Sequence, residues 1–163
     1  MELVEGVATA EDVDDFVAAL GDVADAHDVT VQAFDARFVV SARHLERALE
    51  LADRERERGE AIARDRAVEV LLYAAGRRQI TRALELGVDE GETPVVVLVD
   101  GPGDEPAASE AVADLLEPAE TLGHYDESRV RAFFDVGEAE LAATDATLED
   151  LVLERVALLV VER

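Results

Sequence analysis

The spacing of apolar positions changes several times along the chain, and each change predicts a strand or a helix. Residues 2 to 8 look like a short strand, and residues 29 to 34 alternate as a half-buried strand does. TPVVVLVD, at 93 to 100, is continuously apolar, which predicts a strand covered on both faces. Apolar residues at helical spacing between the first two strands predict a helix that Thr9 caps and that ends near His27.

The middle of the chain has the same helical spacing three times in succession. Ser41 caps a predicted helix that Gly59 stops, and a second helix from about 62 to 75 is apolar nearly all round, so we expect it to be central. Gly76 interrupts this pattern, and Arg77 begins a shorter predicted helix that ends at Gly87. The residues of this shorter helix that are expected to face inward are Ile80, Ala83 and Leu84.

Three further short helices are predicted, at about 107 to 116, 127 to 134 and 147 to 157. Strands separated by helices favour an α/β fold. We expect a single compact domain over residues 1 to 163, with a small mixed or antiparallel sheet of three to five strands covered by helices. The order of the strands does not follow from the sequence. If the two strands joined through the first helix are neighbours, a parallel pair with a right-handed crossover and an antiparallel pair both stay open.

Charge changes this picture more than any motif does. The chain has 39 acidic residues against 15 basic ones, a formal net charge of -24, and every basic residue is an arginine. Such a balance resembles that of proteins from salt-accumulating halophiles, where molar salt shortens the screening length to about 3 Å and weakens self-repulsion. Most of the carboxylates are therefore interpreted as a solvated surface.

The sequence offers little enzymatic chemistry. It has no cysteine, so disulfides, thiolate zinc sites and thiol catalysis are excluded, and a cytoplasmic location is expected. The three histidines lack metal-ligand spacing, and neither a nucleophile elbow nor a phosphate-binding G-K-[ST] loop is present. We predict a chain without catalytic activity, metal or cofactor. No apolar run approaches the roughly 20 residues that span a bilayer, so a membrane is not a predicted partner. DNA is not a predicted partner either.

The arginines are unevenly distributed. Residues 37 to 82 contain 11 arginines and 8 acidic residues, a balance of +3, whereas the rest of the chain has 4 arginines and 31 acidic residues, a balance of -27. A basic block in an acidic protein suggests a polyanionic partner or an acidic protein surface. The alternative is pairing of the arginines with acids along helices, which is favoured for DRERERGE at 53 to 60.

One stretch resembles a known family. The pattern E-V-L-L-Y-x-x-G-x-R-Q-I-x-x-A-L, from Glu69 to Leu84, precedes TPVVVLVDG and a terminal LEDLVLERVALL. Together they resemble the small kinase-binding subunit of the KEOPS complex, the PRPK-binding protein of eukaryotes. The resemblance covers most of the chain and is weak between about 104 and 145. It implies an α/β fold without catalytic activity, a complex with a small atypical kinase/ATPase subunit, and, in archaea, capture of the tRNA 3′ CCA end during synthesis of threonylcarbamoyladenosine at position 37.

The implied RNA-binding role falls on residues of the same stretch. If a helix begins at Arg77, its free backbone N–H groups would form a phosphate site. Guanidinium groups bind phosphate in a bidentate manner and stack on unpaired bases, and a glutamine amide could read a base edge or a ribose. Tyr73 could add a stacking face, although core packing is the favoured interpretation for it. The predicted RNA-binding residues are Arg77, Arg78, Gln79, Arg82, Arg64 and Arg66.

Two alternatives accompany this hypothesis. The arginines at 77, 78 and 82 could instead form surface ion pairs with Glu85 and other acids, and the protein would then be a regulator of the kinase without RNA contact. A small α/β enzyme is a third possibility. The last predicted helix could be the docking face for the kinase because its apolar spacing suits binding in a groove, but core packing explains the same spacing equally well. The residues of this predicted docking face are Leu148, Leu151, Val152 and Val156.

Overall fold

A computed structural model describes residues 1 to 161 of the protein. In that part of the chain the strands are β1 (Glu2–Ala10), β2 (Thr30–Asp35), β3 (Gly91–Asp100) and β4 (Glu117–Pro118). The helices are α1 (Val13–His27), α2 (Ala42–Glu57), α3 (Arg66–Ala75), α4 (Ile80–Ala83), α5 (Glu105–Ala113), α6 (Glu127–Phe133), α7 (Glu138–Ala143) and α8 (Leu148–Leu158). Short 3₁₀ turns lie at Ala36–Phe38 and Leu84–Leu86.

The four strands form one antiparallel sheet in the order β2-β3-β1-β4. The β1–β3 register runs from Glu2 opposite Val99 to Ala10 opposite Gly91, and β4 adds a short pairing at the far edge of β1. The two strands joined through α1, β1 and β2, are not neighbours: β3 lies between them and is antiparallel to both, so β1 and β2 run in the same direction. The predicted α/β fold with a small sheet covered by helices is confirmed.

Strand β3 lies inside the sheet and is buried on both faces. Val96 and Leu98 pack into a core with α2, α3 and α8, whereas the alternate residues Val95, Val97 and Val99 pack into a second core with α1 and α5. This two-sided coverage explains why the strand is continuously apolar instead of alternating, and it confirms that prediction. The result is a helix–sheet–helix sandwich with one core on each side of the sheet.

Helix α3 is the central helix, as its apolar composition predicts. Its residues from 69 to 75 are all buried, and it packs against α2. The helix begins at Arg66, later than predicted, because the side chain of Asp65 caps it by accepting from the Ala67 N–H at 2.8 Å. The preceding chain turns back, so that the buried Glu69 carboxylate accepts from the Ile62 N–H at 2.9 Å.

Other differences from the predicted elements have local causes. Helix α1 is capped by Asp12, not Thr9, because β1 continues its ladder with β3 as far as Ala10. Ser41 does cap α2, accepting from the His44 N–H at 3.3 Å. Helix α7 and strand β4 were not predicted, since neither segment has a clear apolar period.

A buried histidine ties α2 to the end of α3. His44 is fully buried, and its Nε2 lies 2.8 Å from the Ala74 carbonyl oxygen, while the Val40 N–H donates to Nδ1 at 3.4 Å. Because Nδ1 accepts a hydrogen bond, the proton belongs on Nε2, which donates to Ala74. Burial of the imidazole lowers the pKa of His44 to about 4.

Because the pKa of His44 is lowered in the folded state, we expect the fold to lose stability at pH values above those at which most carboxylates titrate. The unfolded chain takes up a proton at its ordinary pKa near 6.5, so the stabilisation is complete above that pH and is lost as the pH falls towards 4. Between pH 7 and pH 5 we expect the free energy of unfolding to fall by about 2 kcal/mol. Denaturant titrations at fixed molar potassium chloride measure this change.

His44→Gln should lose most of this pH dependence, whereas His124→Gln, at an exposed position, should keep it. An unchanged pH dependence in His44→Gln would show that the buried imidazole is not its source.

Candidate nucleic-acid interface

The candidate interface begins where α3 ends at Gly76. Gly76 has a φ of 63°, and a Cβ atom there would lie 3.0 Å from the backbone oxygen of Arg155 in α8. The N–H of Arg77 donates to the Leu72 carbonyl at 3.1 Å, which closes the last turn of α3. Only glycine fits both the left-handed backbone and the close approach of α8. The chain therefore leaves the core at this point and reaches the surface at Arg77.

The predicted helix starting at Arg77 is wrong. Helix α4 begins at Ile80 and has four residues, and the Arg77 N–H is already used by α3, so no helix N-terminus is available there as a phosphate site. Of the residues expected to face inward, only Ala83 is buried, while Ile80 and Leu84 are 47% and 55% exposed. The reason is that the following 3₁₀ turn places Leu86 in the core. Gly87 does end this segment, as predicted.

Two guanidinium groups lie over one aromatic ring at this junction. The Cζ atoms of Arg77 and Arg82 are 5.1 and 5.6 Å from the centroid of the Phe133 ring. Arg77 also donates from Nη2 to the carbonyl oxygen of Phe133. The ring is held edge-on against Phe38 and Phe134, with centroid separations of 5.7 and 5.0 Å. Phe133 thus positions both arginines, each contact contributing about 0.5–1 kcal/mol at an exposed site.

The other members of the predicted group face solvent. Arg78 and Gln79 are exposed, and Arg78 forms no ion pair with any residue between 1 and 161. Arg82 pairs with Glu85 at 3.1 Å, but both side chains are 49% exposed. An exposed pair of this kind contributes about 0–1 kcal/mol, so a phosphate can displace the carboxylate at little cost. The cationic junction, defined here as Arg77, Arg78, Gln79 and Arg82, is therefore accessible.

Arg66 does not belong to this surface. Its guanidinium contacts the Asp53 carboxylate through Nε and Nη2 at 2.9 and 2.7 Å, and Nη2 also contacts Asp100 at 2.7 Å. Nη1 donates to the Asp100 backbone oxygen and to the Thr30 hydroxyl. Hydrogen bonding to Asp53 raises the pKa of Arg66 further above its ordinary value. Arg66 is therefore a structural residue that joins α2, α3, β2 and β3, and the prediction of an RNA-binding role for it is not supported.

Arg64 is exposed but lies apart from the cationic junction. It precedes the N-terminus of α3, and α3 has ten residues, so about 15 Å of helix separates it from Arg77. The structure thus brings together four of the six predicted RNA-binding residues. Tyr73, considered as a stacking face, is 1% exposed and belongs to the core.

Two residues near the junction were missed by sequence reasoning. Phe133 gives the platform for the arginines, and Arg155 borders a small surface cavity of about 180 Å³ beside Arg77. Arg155 contacts Glu140 through two nitrogens, at 2.7 and 3.1 Å, which raises the pKa of its guanidinium. The adjacent pair Phe133 and Phe134 was the available signal for an aromatic cluster. Nothing in the sequence linked it to Arg77, which is 56 residues away.

The predicted docking face on α8 lies in the core. Its four residues are between 0% and 8% exposed and pack with α2 and α3, so ordinary core packing is the arrangement that the structure shows. They offer no free groove-binding surface in this conformation. The residues concerned are Leu148, Leu151, Val152 and Val156.

These features define a small α/β protein with a cationic surface at the end of a buried helix. No cluster of metal-ligating side chains occurs within residues 1 to 161. None of the helices in this range combines the length and apolar character needed to cross a membrane. A family model described as kinase binding protein CGI-121 matches residues 5 to 159, and the chain belongs to this family. The family predicted from the motif between Glu69 and Leu84 is thereby confirmed. A search of curated protein sequences gave no match.

The contrast between Arg66 and Arg64 gives a stability test. Arg66→Met should lower the free energy of unfolding by about 1–3 kcal/mol, because it leaves partly buried carboxylates without their partner. Arg64→Met should change it by less than about 0.5 kcal/mol. Chemical denaturation at fixed salt measures both values. Equal values for the two variants would mean that the network around Arg66 contributes nothing specific to stability.

Proposed function

We propose that this protein is a non-catalytic subunit of the KEOPS complex for tRNA threonylcarbamoyladenosine synthesis. It docks on the atypical kinase/ATPase subunit and holds the tRNA 3′ CCA end at the cationic junction. Membership of a kinase-binding family supports the first partner. The observation that supports tRNA as the second partner is the position of Arg78. This residue is exposed and forms no ion pair among the described residues, and Arg77 and Arg82 beside it are held by the Phe133 ring.

The geometry suits a single strand better than a duplex. Arg77 and Arg82 are preorganised by Phe133, so little conformational entropy is lost when they engage a phosphate. A guanidinium plane also stacks on an unpaired base, and the half-exposed Ile80 adds an apolar contact beside it. The Gln79 amide is exposed at the same place and offers both a donor and an acceptor to a base edge.

The charge of the whole chain points to the same part of the RNA. With a net charge of -24, the protein repels the body of a tRNA, whose phosphates are closely spaced. A protruding unpaired end can reach a local basic patch without bringing the rest of the RNA against the acidic surface. Molar salt would screen long-range forces of both signs, so affinity would depend on short-range guanidinium contacts.

A regulator that binds only the kinase is the second candidate function. Ile80, at 47% exposure beside the arginines, would equally suit an apolar spot on an acidic protein surface. In that case the cationic junction would be a protein-docking surface, and RNA binding would be absent.

Binding to intact and truncated tRNA separates the two functions. We expect the isolated protein, in molar potassium chloride, to bind intact tRNA at least about tenfold more tightly than tRNA lacking its CCA end, since charge-assisted contacts contribute about 1.5–3 kcal/mol each. Arg78→Glu combined with Arg82→Glu should abolish this difference. Arg64→Glu, which reverses an exposed charge about 15 Å of helix away from the junction, should preserve it.

Equal binding of the two RNAs, or an equal loss in the double variant and in Arg64→Glu, would contradict the tethering role. If no RNA binds while the kinase subunit still does, and Arg78→Glu with Arg82→Glu weakens the kinase complex, the regulator is the correct function.

A further inference from the structure

We propose a second docking surface, at which the free edge of β2 takes an extended basic segment of a partner protein as an additional strand. A groove of about 720 Å³ runs along this edge, with α1 on one side and the start of α3 on the other. It is separate from the cationic junction, because none of Arg77, Arg78, Gln79 and Arg82 lines it.

The outer edge of β2 has no neighbouring strand. β2 is the outer strand of the sheet, and within residues 1 to 161 it pairs only with β3, from Thr30 opposite Asp100 to Asp35 opposite Val95. The Ala33 carbonyl oxygen accepts from the Gln32 side-chain amide at 2.9 Å, and an incoming backbone N–H would replace this local hydrogen bond. An unpaired edge of this kind is a template for a strand from another chain.

The walls of the groove are apolar on both faces of the sheet. Leu20 and Val31 line the α1 side, while Val68 and Leu71 line the α3 side. Val17 lies in the same lining with 55% exposure, so the core does not require it. Since side chains of a strand point alternately to the two faces, an added strand would place apolar residues against both walls. A helix would leave the edge hydrogen bonds of β2 unused.

The charge around the groove selects a basic occupant. Asp25, Asp65 and Asp89 line it, and the only cation among its lining residues, Arg66, is paired with the carboxylates of Asp53 and Asp100. The groove is therefore negative, and an extended segment flanked by arginine or lysine complements it. RNA would be repelled here for the same reason.

A second copy of this chain is a poor occupant. Two copies paired through this edge would bring two identical acidic linings together, each with Asp25, Asp65 and Asp89. Such a dimer would also bring together two chains that each carry a formal net charge of -24. We therefore assign the groove to a strand from a different protein.

A designed peptide tests the proposal. The probe is acetyl-Arg-Arg-Val-Thr-Val-Val-Arg-Arg-amide, long enough to pair with β2, and its binding to the full chain is measured by fluorescence anisotropy in molar potassium chloride. Only alternate amides of an added strand face β2. N-methylation of one alternate set should therefore weaken binding at least about tenfold, while methylation of the other set should leave it nearly unchanged. Glutamate in place of the arginines should abolish binding.

The matched protein variants are Val17→Arg, in the groove wall, and Ala18→Arg, at the next exposed position of α1 and outside the lining. Val17→Arg should weaken peptide binding at least about tenfold and Ala18→Arg should not. No binding by the arginine peptide, equal effects of the two methylation patterns, or equal effects of the two variants would overturn strand addition. A dimeric wild-type chain that Val17→Arg makes monomeric would overturn the choice of occupant.

Discussion

The structure depends on the burial of α3 from Glu69 to Ala75 in a chain that is otherwise strongly acidic. A helix that is apolar on nearly all sides needs cover from the sheet, from α2 and from α8, and the core on that side of the sheet forms around this requirement. Its two ends are fixed in different ways. Glu69 accepts backbone N–H groups from the loop before it, and Gly76 ends it against the backbone of α8. The place where the chain returns to the surface, and therefore the place of the arginines, follows from these two constraints.

The arginines show that formal charge does not by itself assign a role. Arg66 has its charge neutralised by two aspartates from different elements and serves the fold. Arg77 is half-buried and tied to Phe133, whereas Arg78, the next residue, extends into solvent. The basic block of the sequence is thus divided by the fold into structural and accessible cations. Only the accessible arginines can contact a polyanion.

The parts of the fold that sequence predicted are those with a local cause. The period of apolar residues was sufficient for β3 and α3, and the Ser41 cap was sufficient for the start of α2. The helix predicted to start at Arg77 was wrong because arginine has good helical propensity, whereas the turn at this point depends on the packing of Gly76 against α8, which is distant in sequence. The role of Arg66 was equally out of reach, since its partners Asp53 and Asp100 are 13 and 34 residues away. The motif was sufficient to group the residues of the cationic junction, but the contact of two of them with Phe133 required the tertiary structure.

The close approach of α8 to Gly76 has a consequence for how this surface can change over evolutionary time. Any side chain at position 76 would push α8 away, so the point at which the polypeptide emerges is fixed by packing. The side chain at position 78, by contrast, is exposed and forms no ion pair within residues 1 to 161. Selection can therefore replace its side chain, and with it the chemistry that the surface presents, while the scaffold beneath stays intact.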